Sequence, residues 1–217
     1  MECYNQFWWN WWVNVIIAAA TVSAVLLALF GDIIKARLFH PKLALRLKNS
    51  TGEKTKVFYK TKSSDGRDIQ TEEDARYYHL ILSNNARWSK SNNTQVFLQK
   101  LEETDPDKKF QTKWDGEVPM EWLHHSLYPI TRTVGSEIHC DLCSVGQNKW
   151  IRLHPVLAPA TLKYIYQTKV NLRLTLQAKG DEGDSQKIKI SIAWDGFWDG
   201  DETEMAKHLI IKNVTNE

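Results

Sequence analysis

No P-loop, no GxGxxG, no GxSxG and no HExxH pattern occurs in the 217 residues. The chain therefore lacks the phosphate cradle, the dinucleotide fingerprint, the nucleophile elbow and the zinc-protease helix that mark common enzyme classes. Cysteine is scarce. Of three, only Cys140 and Cys143 lie beyond the N-terminal segment, which fits a reducing compartment better than a disulfide scaffold. Excess charge is lacking too: 28 Lys and Arg against 26 Asp and Glu leave a net +2, so no strongly basic domain argues for nucleic acid as a partner. Two Trp-Asp-Gly triplets, at 114–116 and 194–196, are too few and too far apart for propeller blades, which recur every ~40–45 residues.

Charge is missing altogether between Phe7 and Phe30, FWWNWWVNVIIAAATVSAVLLALF. At ~1.5 Å per residue this stretch spans about 36 Å as a helix, enough to cross a hydrocarbon core of about 30 Å with some tilt. Trp8, Trp9, Trp11 and Trp12 crowd one end, where aromatic rings favour the lipid–water boundary. The leader MECYNQ has no Lys or Arg, unlike the basic start of a signal peptide. The segment reads as a single transmembrane helix in the lipid bilayer. Lys35, Arg37, Lys42, Arg46 and Lys48 follow it against Asp32, so the positive-inside rule predicts a single-pass protein with its N-terminus out and its C-terminal domain cytoplasmic. There the sequons at Asn92 and Asn213 would carry no glycan. Ala20, Ala24 and Ala28 recur every four residues, and Asn14 is deep enough to seek a partner. This face permits homo-oligomerisation through the helix, although alanine is also common in lipid-embedded helices generally.

The expected organisation is 1–30 for tail and transmembrane helix, 31–41 for a basic connector ended by His40-Pro41, and 42–217 for one domain. In that domain the apolar period becomes two. Leu43, Leu45 and Leu47 alternate with Ala44, Arg46 and Lys48; Tyr78, Leu80 and Leu82 oppose Tyr77, His79 and Ile81; 170–178 and 188–194 form a hairpin across GDEGDS. Residues 54–60, 94–103, 110–114, 137–144, 149–154 and 208–214 give further strands, and SSDGRDIQTEED reads as a polar loop on an Asp65-Gly66 turn. About eight to ten strands without a long amphipathic helix predict a mainly β chain, an antiparallel β-sandwich with a β-barrel-like domain as the alternative.

A strand ending in Asn84, a polar excursion and a strand of the form Asn93-x-x-Val96-x-Leu98 resembles the strand-turn-strand unit of immunoglobulin-like β-sandwiches. The resemblance covers about residues 77–103, implies fold alone, and lacks the Cys…Trp…Cys spacing of antibody domains.

Cys140-Asp141-Leu142-Cys143 places two thiols at knuckle spacing, and His139, His124, His125 or His154 could complete a structural zinc site. Unliganded structural cysteines and a redox pair are the other readings of the motif. Asp195, Asp199, Asp201, Glu202 and Glu204 form an acidic run without the glycine of a calcium loop, so a solvated loop accounts for them. Trp194 and Trp198 mark either an interaction surface or a cap on the core. His124, His125, Tyr128, Arg132 and Lys149 could line an anion pocket, and Asn84, Asn85, Arg87, Trp88 and Lys90 either stack single-stranded nucleic acid or form a plain polar loop.

These features predict a membrane-anchored binding or sensing module for an unidentified protein or small-molecule ligand. A metal-dependent enzyme at the membrane face, using Cys140 and Cys143, is the first alternative. A second rests on architecture alone: a short membrane helix with a soluble β-domain resembles effectors of prokaryotic defence systems, in which ligand binding clusters the helices.

Overall fold

The computed structural model of the chain describes residues 2–38, 40–62, 68–86, 89–104, 109–123 and 130–214. Two compact units result, Met1–His40 and Pro41–Glu217. The first is one helix, α1 (Glu2–Leu38). It outruns the expected span at both ends, and the stretch 31–38, read above as a connector, is helical. No proline intervenes before Pro41, and Gly31 weakens a helix by only about 1 kcal/mol against alanine, too little to end it. Trp8–Gly31 is long and apolar enough to cross a membrane, a property shared by membrane spans and signal sequences. Thr21 and Ser23 return their hydroxyls to the carbonyls of Ile17 and Ala19, each at 2.8 Å, so neither needs an outside partner.

The second unit is mainly β, in two antiparallel sheets arranged as a sandwich. In chain order its strands are β1 (Leu43–Leu47), β2 (Glu53–Lys62), β3 (Asp68–Asn84), β4 (Ser91–Thr104), β5 (Phe110–Pro119), β6 (Arg132–Val134), β7 (Glu137–Gly146), β8 (Trp150–Leu153), β9 (Ile165–Tyr166), β10 (Val170–Gly180), β11 (Gly183–Asp184), β12 (Ile188–Trp194) and β13 (Leu209–Asn213), with the helix α2 (Glu202–His208) before the last. The first sheet runs β1-β3-β7-β8-β9 with β2 also on β3; the second runs β13-β12-β10-β4-β5 with β11 on β10 and β6 on β4. Inner faces of both sheets share one core, in which Leu80, Leu82, Val145 and Ile151 meet Val96, Leu98, Leu172, Leu174 and Ile192. The secure hairpin of the sequence is β10–β12, in register from Val170↔Trp194 to Leu176↔Ile188.

β3 is longer than its apolar pattern announces. Residues 68–74, expected in a loop, are strand because β2 pairs with all of Asp68–Tyr77. β7 reaches only Ala75 on the other side, so the outer part of β2 and β3 forms a two-stranded arm whose residues need no apolar alternation. The Asp65-Gly66 turn lies outside the described residues.

Asn84 explains the asparagine at the end of β3. Its Oδ1 accepts from the N–H groups of Lys42 and Ala86, both at 3.0 Å, while Nδ2 donates to the Ser89 and Val134 carbonyls at 2.7 and 3.3 Å. At the far end of β7 a buried carboxylate organises the turn: Glu73 Oε1 accepts from Asn148 N at 2.6 Å and from Trp150 Nε1 at 3.1 Å. That indole lies across Gly146, where an added Cβ would come within 2.2 Å of its Cε2. Gly146→Ala should therefore destabilise the domain by about 1–3 kcal/mol, the usual range for overpacking. A chemical-denaturation midpoint of the detergent-solubilised chain that does not move would show that Trp150 yields freely.

Candidate functional site

The face of β3 and β7 that points away from the core is where the sequence departs from a simple sandwich. Leu80 and Cys140 face inward as a cross-strand pair, so their neighbours His79 and Asp141, also paired, face outward. The register then slips between Tyr78 and His79, leaving Leu142 as an extra residue. This bulge turns both Leu142 and Cys143 into the core. It also explains how two cysteines three apart, which strict alternation would place on opposite faces, come to share one.

Outward side chains here are nonetheless buried and paired. His79, with 2% of its surface exposed, has Nδ1 at 2.8 Å from Asp141 Oδ1. His154 sits just past β8, its Nε2 at 2.7 Å from Ser144 Oγ and its Nδ1 at 3.3 Å from Glu121 Oε2. Glu121 arrives because the chain leaving β5 crosses to the first sheet. Asp141 N donates to the Glu121 carbonyl and Leu123 N to that of His139, while Trp122 bridges Cys140 and fills the core. Tyr77 stacks between the two histidines, 5.2 Å from the His154 ring and 6.3 Å from that of His79, and His139 extends the row 6.4 Å beyond His79.

Next to this row lies an open cavity of about 550 Å³, lined by Tyr77, His79, Asp141, Leu123 and the start of β2 from Glu53 to Phe58. Glu53 Oε2 stands 3.6 Å from His79 Nε2. The Lys48 ammonium, hydrogen-bonded to the other oxygen of Glu53, holds this carboxyl below the usual carboxylate range. Burial pushes the Tyr77 phenol up, helped by the Asp141 charge. Burial likewise lowers the His139 imidazolium, with Lys48 and His79 acting the same way. At neutral pH the wall thus presents an ionised Glu53 and a protonated phenol, with a neutral His139 in the adjoining row of rings.

The triad-like order Ser144–His154–Glu121 carries no hydrolytic chemistry in this arrangement. Ser144 is wholly buried in mid-sheet and its hydroxyl is engaged by the stacked His154, leaving no place for an acyl group beside Oγ.

Other residues singled out in the sequence fall elsewhere. Cys140 and Cys143 are free thiols in the core, whereas His139 and His154 lie on the outer face. The β-sheet alternation therefore separates the sulfurs from the imidazoles, and among the described residues no three His, Cys, Asp or Glu side chains converge as metal ligands. His124, His125, Tyr128, Arg87 and Trp88 lie outside the described residues. Of the two described members of the expected anion pocket, Arg132 pairs with Thr94 before the start of β7 and Lys149 lies in the turn after its end. Trp194 belongs to the core with Ile190 and Ile192, its Nε1 bonded to the Phe197 carbonyl at 2.8 Å, and Trp198 packs against that core. The exposed aromatic of this loop is Phe197. Within the acidic run, Asp201 caps α2 through the N–H groups of Thr203 and Glu204, and Asp195 holds His208 at 2.8 Å. Asn14, Ala20, Ala24 and Ala28 are all exposed on α1.

Sequence reasoning missed Glu53, Asp141, Glu121 and Ser144. The available signal was polar residues in strands whose partners are apolar on both sides, His79 between Tyr78 and Leu80 and Asp141 between Cys140 and Leu142.

Burial raises both thiols well above the ordinary cysteine range, with the Asp141 charge adding to it. In a Cys3→Ser chain at pH 8, Cys140 and Cys143 should react with a disulfide reagent only after denaturant is added. Stoichiometric labelling within minutes under native conditions would contradict the packing. No protein-family model matches this chain, and neither does any curated protein or solved structure.

Proposed function

We propose that this protein is a single-pass, membrane-anchored binding module, its N-terminus outside, its β-sandwich cytoplasmic, and its ligand seated in the cavity on the outer face of the first sheet. The observation that carries the reading is the wall of that cavity. His79, Asp141 and Tyr77 are held by one another before any ligand arrives, which is how a site keeps the ordering cost of binding small. Beside it, the Glu53–Phe58 segment of the neighbouring strand β2 lines the cavity, runs into the two-stranded arm from Lys56 onward and presents Phe58 more than half exposed. Anchoring is supported by the uncharged stretch Trp8–Gly31, and orientation by the five basic residues that follow it.

Two measurements test this. The full chain should resist carbonate extraction from membranes, and deletion of residues 1–38 should release it; a wild-type chain found in the soluble fraction would remove the anchor. In a small-molecule panel read by thermal unfolding of the solubilised chain, a ligand at a hundred times its Kd should add about 2.7 kcal/mol. Phe58→Ala, an exposed change, should reduce that effect. A panel in which every stabilising compound ignores Phe58→Ala would place binding elsewhere.

A further inference from the structure

The gap between His79 and Glu53 has a chemistry of its own. A carboxylate only accepts, so with Asp141 Oδ1 at 2.8 Å the His79 proton sits on Nδ1, and in the neutral ring Nε2 is left as an acceptor. Opposite it stands another acceptor, Glu53 Oε2, at 3.6 Å, beyond hydrogen-bond distance. Two acceptors facing each other in a cavity wall call for a donor within reach of both.

The local charge points the same way. Asp141 and Glu53 contribute two negative charges and Lys48, on the far oxygen of Glu53, one positive. Lys54 and Lys56 at the rim are already paired with Asp74 and Glu72. One negative charge is left over at the gap, beside apolar wall from Val57, Phe58 and Leu123.

Building on the binding reading above, we propose that the cavity takes a monocationic N–H donor with a short apolar body, an alkylammonium or guanidinium group, bridging His79 Nε2 and Glu53 Oε2. Such a group comes either from a free amine or from a Lys or Arg side chain of a polypeptide.

The test uses the full chain in detergent with ¹⁵N-labelled histidine, the His79 resonances being assigned by their loss in His79→Asn. N-methylguanidinium and n-butylamine are titrated beside two controls, neutral N-methylurea and acetate, and beside the amidated tripeptides Ala-Arg-Ala and Ala-Gln-Ala. Without ligand, the state the proposal requires of His79 is a proton on Nδ1 towards Asp141 and a bare Nε2. The cations should then shift Nε2 saturably, and Glu53→Gln should weaken them at least tenfold. An Ala-Arg-Ala affinity at least tenfold above N-methylguanidinium assigns a polypeptide source; equal affinities assign a free amine. An imidazolium at His79 before any cation is added means that the gap is filled by its own proton and overturns the proposal. So does an undiminished response in Glu53→Gln. A response to acetate or N-methylurea but to no cation also overturns it, while leaving the cavity a binding seat. Silence from every probe overturns the cation as well, and the seat itself is then decided by the Phe58→Ala comparison.

Discussion

A strand in the middle of a sheet can be covered on both faces only if one face is apolar and every polar group on the other has a partner, because an unpartnered buried donor or acceptor costs about 1–3 kcal/mol. β3 and β7 meet this condition side by side. Inward they give Leu80, Leu82, Cys140 and Leu142; outward they give His79 against Asp141, and Ser144 against His154. The remaining polar demand is met from outside the strand pair, by Glu121. For that carboxylate to reach His154 the chain has to leave the second sheet after Pro119 and run beside β7, which also drives Trp122 into the core between the sheets. One requirement, pairing on the outer face, thus fixes where the two sheets are joined.

The extra residue at Leu142 is the second consequence. Without it Cys143 would point outward while Cys140 stayed in the core, and the two thiols of the motif would part. With it both thiols are core atoms, and Asp141 alone of the four residues faces the histidines. Spacing in sequence measures distance along the chain, whereas ligand geometry depends on which face each residue takes, and a single bulge exchanges the two.

Much of the fold was legible because period-two alternation is a local property. β1, β10, β12 and β13 stand where their leucines and isoleucines put them, and the turn at Gly146 falls between the strands that flank it. Of the arm, 54–60 was legible as a strand, but residues 68–74 of β3 were not, since DIQTEED shows no apolar alternation and is strand only through its pairing with β2. Nor were the limits of α1. A run of apolar residues measures a hydrocarbon thickness, while a helix continues until a breaker stops it, here next to His40-Pro41. Trp194 was ambiguous for a related reason: its place at the end of an alternating strand already argued for the inner face, and tryptophan's frequency at interfaces argued against it. Alternation won because Ile190 and Ile192 set the face two and four residues earlier.

The candidate site was the least legible part because it is assembled from residues far apart in sequence, each unremarkable alone. Glu53 begins an edge strand, Tyr77 and His79 lie on β3, Asp141 immediately precedes the bulged Leu142, and Leu123 enters with the crossing segment. What unites them is a hierarchy of rigidity. His79 is locked by Asp141 and flanked by two rings, so its free nitrogen has one direction. Glu53 is about half exposed and is held through Lys48 at the start of the edge strand β2. A fixed acceptor facing a movable one is an arrangement in which the incoming group sets the width of the gap, so the cavity can select for charge and hydrogen-bond direction more sharply than for size.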